Sequence, residues 1–109
     1  FQPHRFSRTK NLYNDFIKIL KKIDILYVLD IYPAGENPIK KINSKNLVRD
    51  LNKNNLQVYY LKKNADINKI LSSYYNEQNL IIFMGAGSIT NEANKLIKDN
   101  NVQKNSRNI

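Results

Sequence analysis

Asp24–Tyr32 reads DILYVLDIY, and the reading of this stretch decides the fold. Apart from its two aspartates it is apolar and rich in residues favoured in strands. A continuous run of that kind suits a central parallel strand buried on both faces. Upstream, Leu12, Tyr13, Phe16, Ile17, Ile19, Leu20 and Ile23 recur at intervals of three and four. That spacing predicts one helix from Ser7 or Arg8 to about Ile23, with a single apolar stripe. Downstream, Pro33, Gly35 and Pro38 turn the chain into a loop, DIYPAGENPI over Asp30–Ile39.

The same alternation continues to the other end. Ser44 is the expected N-cap of a helix to about Lys53, with Leu47, Val48 and Leu51 inward; Asn52 to Asn55 would end it. Gln57–Leu61 (QVYYL) reads as a short strand. A helix is expected to start at Asn64 to Asp66 and run through Ile67, Ile70, Leu71 and Tyr74 to about Asn76. Leu80–Met84 (LIIFM) reads as a second strand of the buried type, followed by a turn over Gly85 to Gly87 and a helix over Ile89–Lys98. Phe1 and Gln2 look like the tail of an incomplete first strand. The order (β)αβαβαβα predicts an α/β fold, Rossmann-like, with a mostly parallel sheet flanked by helices on both faces. One domain is expected over residues 1–98, with a polar tail over residues 99–109, and the chain reads as part of a longer protein.

Composition narrows the function classes. The 109 residues are 41% hydrophobic, enough for one modest core. No segment is long and apolar enough to suggest a membrane span. With no cysteine, disulfides, thiolate metal sites and a cysteine nucleophile are excluded, and a cytoplasmic location is expected. The net charge is +9, which raises nucleic-acid binding as a possibility. The lysines, however, are scattered from Lys18 to Lys98 and form no tract interleaved with aromatics, so solvated faces account for them better and no nucleic-acid partner is expected.

Three stretches carry chemistry. In FQPHRFSRT, Phe1–Thr9, Arg5 and Arg8 lie one helical turn apart and can face the same way. Two guanidiniums beside a helix start can clamp a carboxylate or phosphate. They also oppose the helix dipole, so a bound anion would explain them. Pairing with Asp24, Asp30 or Glu36 would explain them equally well. His4, the lone histidine, is more often a hydrogen-bonding residue than a catalyst. In DIYPAGENPI, Asp30 and Tyr32 end the strand, Gly35 allows a close approach and Glu36 offers a carboxylate; an ordinary turn accounts for the same residues. In Met84–Ile89, MGAGSI, Gly85 and Gly87 precede a helix. This is only GxG, without a third glycine or a lysine, and close strand-to-helix packing explains it as well as a phosphate loop does. No metal constellation and no catalytic triad stands out.

These stretches, in this order and spacing, resemble the C-terminal domain of the Mur ligase family, within which FQPHRFSRT, DIYPAGENPI and GAGSI match the members that act on L-alanine. The resemblance implies part of an ATP-dependent ligase of peptidoglycan precursor synthesis, joining L-alanine to UDP-N-acetylmuramate. In such a ligase the substrate carboxylate is phosphorylated and the amine of L-alanine attacks the acyl phosphate. It further implies that His4, Arg5, Arg8, Tyr32, Gly35 and Glu36 bind the substrate, and that Asp30, Gly85 and Gly87 support the loops. No catalytic residue and no metal ligand is assigned to this chain. The main sites for ATP and Mg²⁺ are expected outside it, so the isolated chain is expected to be inactive. The alternative is a stand-alone Rossmann-like module that binds a nucleotide or anion without catalysis.

Overall fold

The computed structural model describes residues 1–53 and 57–107, with side chains up to residue 100. Strand β1 (Ile25–Leu29) pairs in parallel with β2 (Gln57–Leu61), in a register that sets Tyr27 beside Tyr59. The expected strand over Asp24–Tyr32 is therefore shorter than its apolar run. Its burial alternates: Leu26 and Val28 are buried, while Ile25, Tyr27 and Leu29 are only partly so. One face is closed and the other is not, which corrects the expectation of a strand buried on both.

The closed face is the core. Leu26, Val28 and Val58 from the strands meet Leu47, Val48 and Leu51 from helix α3 (Ser44–Asn52), and Leu20 joins them. Each such side chain contributes about 1.5–3 kcal/mol by leaving water. The N-cap of α3 is Asn43, not the expected Ser44. The Asn43 side chain accepts the Asn46 N–H at 2.8 Å. Ser44 is buried instead, and its Oγ donates to the Leu29 carbonyl at 2.5 Å, tying the helix to β1. The hydroxyl is worth more to a strand end with a free carbonyl than to its own helix. The expected helix end over Asn52 to Asn55 falls partly outside the described residues.

The single helix expected over residues 7–23 is two: α1 (Phe6–Asn11) and α2 (Tyr13–Leu20), bent at Leu12. Leu12 and Ile19 are exposed, so the apolar stripe is narrower than its sequence suggests. Tyr13, Phe16 and Ile17 pack against the core, and Phe16 meets Phe1 edge-on at 5.5 Å. Beyond β2, Asp66 caps α4 (Ile67–Leu71) by accepting the Lys69 N–H, and a 3-10 turn over Ser72–Tyr74 follows. That helix stops short of the expected Asn76. The last helix, α5 (Ile89–Arg107), runs past Lys98, where the sequence pattern suggested that helix gives way to tail.

Phe1 to Arg5 run alongside β1 on the edge opposite β2. Phe1 N donates to the Tyr27 carbonyl, Leu29 N to the Phe1 carbonyl, and His4 and Tyr32 form a parallel bridge. On its other side Gln2 N donates to the Met84 carbonyl at 2.9 Å. Leu80–Met84 is nevertheless not a strand. Among the described residues nothing pairs with 80–83, and Leu80 (84% exposed) and Ile82 (63%) stand in solvent. An apolar segment needs a partner ladder to become a strand, whatever its propensity. Between it and the open face of β1 lies an apolar cavity of about 520 Å³, lined by Phe1, Tyr27, Leu71, Ile81, Phe83 and Ile89 among others. The result is an α/β arrangement around a two-stranded parallel sheet.

Candidate functional site

The three chemistry-bearing stretches meet where the N-terminal segment leaves β1. Tyr32 N donates to the Pro3 carbonyl and Arg5 N to the Tyr32 carbonyl, at 2.9 and 2.8 Å. The His4 and Tyr32 rings stack with centroids 5.6 Å apart and planes 9° from parallel. Gly87 lies under the same tyrosine: a Cβ there would come within 2.5 Å of the Tyr32 ring. A Cβ at Gly85 would meet Ile89 at 2.8 Å and the Gln2 carbonyl at 3.0 Å. The space that these glycines leave is filled by the protein's own groups, so the turn does not fit as a phosphate cradle. Gln2 is buried and shares long hydrogen bonds of 3.4 and 3.5 Å with Ser88, which joins the first stretch to the third.

Arg5 adopts φ 68° and ψ 142°, outside the range an arginine normally occupies. Bonds on both sides hold it there. Its N–H binds Tyr32, and its carbonyl accepts from both the N–H and the Oγ1 of Thr9, at 3.1 and 2.7 Å. Arg5 and Arg8 are exposed, and among the described residues neither belongs to an ion pair. Two of the acids that could have neutralised them are engaged elsewhere. Asp30 accepts from the Tyr60 hydroxyl at 2.6 Å; that bond, more than burial, pushes the tyrosine up to about 12. Glu36 accepts from Ser7 N at 3.0 Å and from Ser7 Oγ at 2.5 Å. Those bonds, and more weakly the charge of Arg5, hold its carboxyl below the ordinary range.

The turn that delivers Glu36 explains Gly35. Glu36 N donates to the Pro33 carbonyl, and Ala34 and Gly35 between them take φ values of 50° and 85°. Such a pair of positive φ values favours glycine and strains alanine. Asp30 lies to one side of this loop: through Tyr60 it ties the end of β1 to β2. His4 Nδ1 is buried and has no hydrogen-bond partner among the described residues, a polar atom whose cost calls for an explanation.

A crevice of about 980 Å³ opens at the ends of β1 and β2; it shares Gln2, Tyr32 and Ser88 with this site and is bounded also by Lys62, Asp66 and Lys95. It does not reach Arg5, Arg8 or Glu36. Among the described residues no group of three His, Asp or Glu side chains could hold a metal ion. No described helix is long and apolar enough to cross a membrane.

Sequence reasoning had not singled out Ser7 and Thr9, which bracket Arg8 and close onto Glu36 and Arg5. The signal was present: Ser and Thr in a first helical turn commonly bond to nearby backbone and acids. Tyr60 carried no such signal, because its partner is set by strand register.

No protein-family profile matches the chain. Individual proteins do. The chain is 42% identical over 97 residues to the UDP-N-acetylmuramate–L-alanine ligase of Wigglesworthia glossinidia brevipalpis, covering 88% of the chain and 20% of that ligase. The ligase of the same name from Aquifex aeolicus is 38% identical over 104 residues, covering 95% of the chain and 22% of the relative. A third, from Rickettsia felis, is 41% identical over 98 residues, covering 88% and 20%. The chain spans about a fifth of the length of the curated relatives it matches. It is homologous to one segment of these ligases, in keeping with the family resemblance of its motifs.

Proposed function

We propose that the chain is the C-terminal, amino-acid-binding part of an ATP-dependent ligase that joins L-alanine to UDP-N-acetylmuramate. The supporting observation is the pair Arg5 and Arg8, exposed, free of acid partners among the described residues, and beside loops that match L-alanine ligases in sequence. Binding energy is withheld from internal pairs and remains available to an anion. In this reading the guanidiniums take the carboxylate of L-alanine and steady the charge that develops when its amine attacks. His4 and Tyr32 form the wall beside them. Gly35 brings the loop close, and Asp30, Gly85 and Gly87 support it. The sheet would be Rossmann-like and flanked by helices on both faces once the remainder of the ligase completes it. The sites for ATP and Mg²⁺ would lie elsewhere in the ligase, where ATP would donate a phosphoryl group to the carboxylate of UDP-N-acetylmuramate and leave as ADP, and the reaction would belong to peptidoglycan synthesis in the cytoplasm.

The test replaces the matching segment of the Aquifex aeolicus ligase with this chain and follows alanine-dependent phosphate release. Arg8→Ala is expected to raise KM for L-alanine roughly tenfold to a hundredfold, the worth of a hydrogen bond to a charged group. An unchanged KM removes Arg8 from the site. The 109-residue chain alone should release no phosphate from ATP and alanine. A second reading, a stand-alone nucleotide- or anion-binding module, would use the 980 Å³ crevice, whose three lysines, Lys62, Lys63 and Lys95, share it with four carboxylates, Asp30, Asp66, Glu92 and Asp99. Calorimetric titration of the chain with ATP separates the two, since only the module should bind it.

A further inference from the structure

We infer that Glu36 is a positioning residue that fixes Arg5 and Arg8 by capping α1 from another loop, and that it does not itself bind substrate. The inference rests on the ligase reading above.

Helix α1 has no cap of its own. Arg5 occupies the N-cap position, its side chain caps nothing, and no acidic residue lies in the first turn. The N–H groups of a first turn need acceptors. Glu36 supplies one: Oε1 takes Ser7 N and Oε2 takes Ser7 Oγ. Each oxygen thereby accepts one bond from Ser7, and the two together fix the orientation of the carboxylate on the helix start. Its position is fixed in turn. The Pro33–Glu36 turn holds it, Tyr32 anchors that turn to Pro3 and Arg5, and Gly87 leaves room for the Tyr32 ring. The chain therefore closes a ring from Arg5 through Tyr32, the turn and Glu36 back to Ser7. Ser7 stands between the two arginines. A strained Arg5 persists only where its surroundings over-determine it, and this ring does so from outside the helix.

Ser7 distinguishes positioning from direct binding, because a Glu36 that held substrate would not need it. In the chimeric ligase, Glu36→Ala is expected to raise KM for L-alanine on the order of tenfold, with a smaller change in kcat. Ser7→Ala should move KM in the same direction, and the double variant should be no worse than Glu36→Ala alone. Glu36→Gln, which keeps the shape and one acceptor, should restore part of the loss. An unchanged KM in Ser7→Ala, additive effects in the double variant, or a Glu36→Gln variant as impaired as Glu36→Ala would each overturn the inference. Proton NMR of the 109-residue chain reads the cap without any alanine. The Ser7 amide resonance should move upfield in Glu36→Ala, and a resonance that stays in place overturns the cap. If the amide moves while the chimeric ligase shows no alanine-dependent phosphate release, the ligase reading fails and the cap stands.

Discussion

Helices α3 and α1 begin in opposite ways. α3 caps itself through Asn43, and its buried Ser44 binds the Leu29 carbonyl. Its acid, Asp50, lies near its end and accepts from Tyr13 of α2. α1 starts on a strained arginine, lacks its own cap, and draws a carboxylate from a loop 29 residues away. The first start is built for stability with local means. The second accepts a cation where the helix dipole disfavours it and offsets that cost through tertiary contacts. A helix start that works against its own local preferences is where a binding role is expected.

Four substitutions break or sharpen this contrast. The largest effect is expected on the α3 side. Leu47 is fully buried against the strands, and Leu47→Ala should lower unfolding stability by about 3 kcal/mol in denaturant titration. Gly87→Ala comes next, on the α1 side. Its Cβ would press on the Tyr32 ring, and a loss of about 2 kcal/mol is expected together with a raised alanine KM, because Tyr32 anchors Arg5. Equal stability and KM in Gly87→Ala would show that the turn is not tied to the arginines. Asn43→Ala removes the self-made cap and should cost about 1 kcal/mol, with alanine kinetics unchanged. The smallest change has the opposite sign. Arg5→Gly relieves the positive φ and should raise stability by about 0.5 kcal/mol while abolishing alanine binding. A destabilised Arg5→Gly would mean that Arg5 serves the fold and would erase the contrast.

The Glu36 cap carries a pH signature of its own. Its carboxyl sits below the ordinary range chiefly through the Ser7 bonds. A depressed folded value means that its contribution is present above the ordinary carboxylate range and lost as pH falls through the lowered value.

Legibility in the sequence followed the range of the interactions. Helix α3 and strand β2 were readable because their signals are local: Leu47, Val48 and Leu51 repeat at helical spacing, and QVYYL is a short run rich in strand-favouring residues. The bend at Leu12 was not readable, since the apolar stripe continues through it and only packing exposes Leu12 and Ile19. Leu80–Met84 misled for a related reason. Its propensity is that of a strand, but a strand is a relation between two segments, and pairing is invisible in one of them. The site divides the same way. Arg5 and Arg8 announced themselves by residue type, whereas the role of Glu36 depends on Ser7, which sequence alone gives no reason to place beside it.

The sequence by itself determined the strand–helix–strand order from β1 through α3 to β2, the positive charge, and three motifs that resemble the Mur ligase family, to two of whose UDP-N-acetylmuramate–L-alanine ligases the chain is 42% and 38% identical. These rest on residue type and spacing. Only the tertiary structure decided that the three motifs meet around Tyr32, that Gly85 and Gly87 make room for protein and not for phosphate, and that among the described residues Arg5 and Arg8 form no ion pair with Asp30 or Glu36. Those outcomes depend on which distant groups reach hydrogen-bonding distance, a competition among partners that no single stretch of chain encodes.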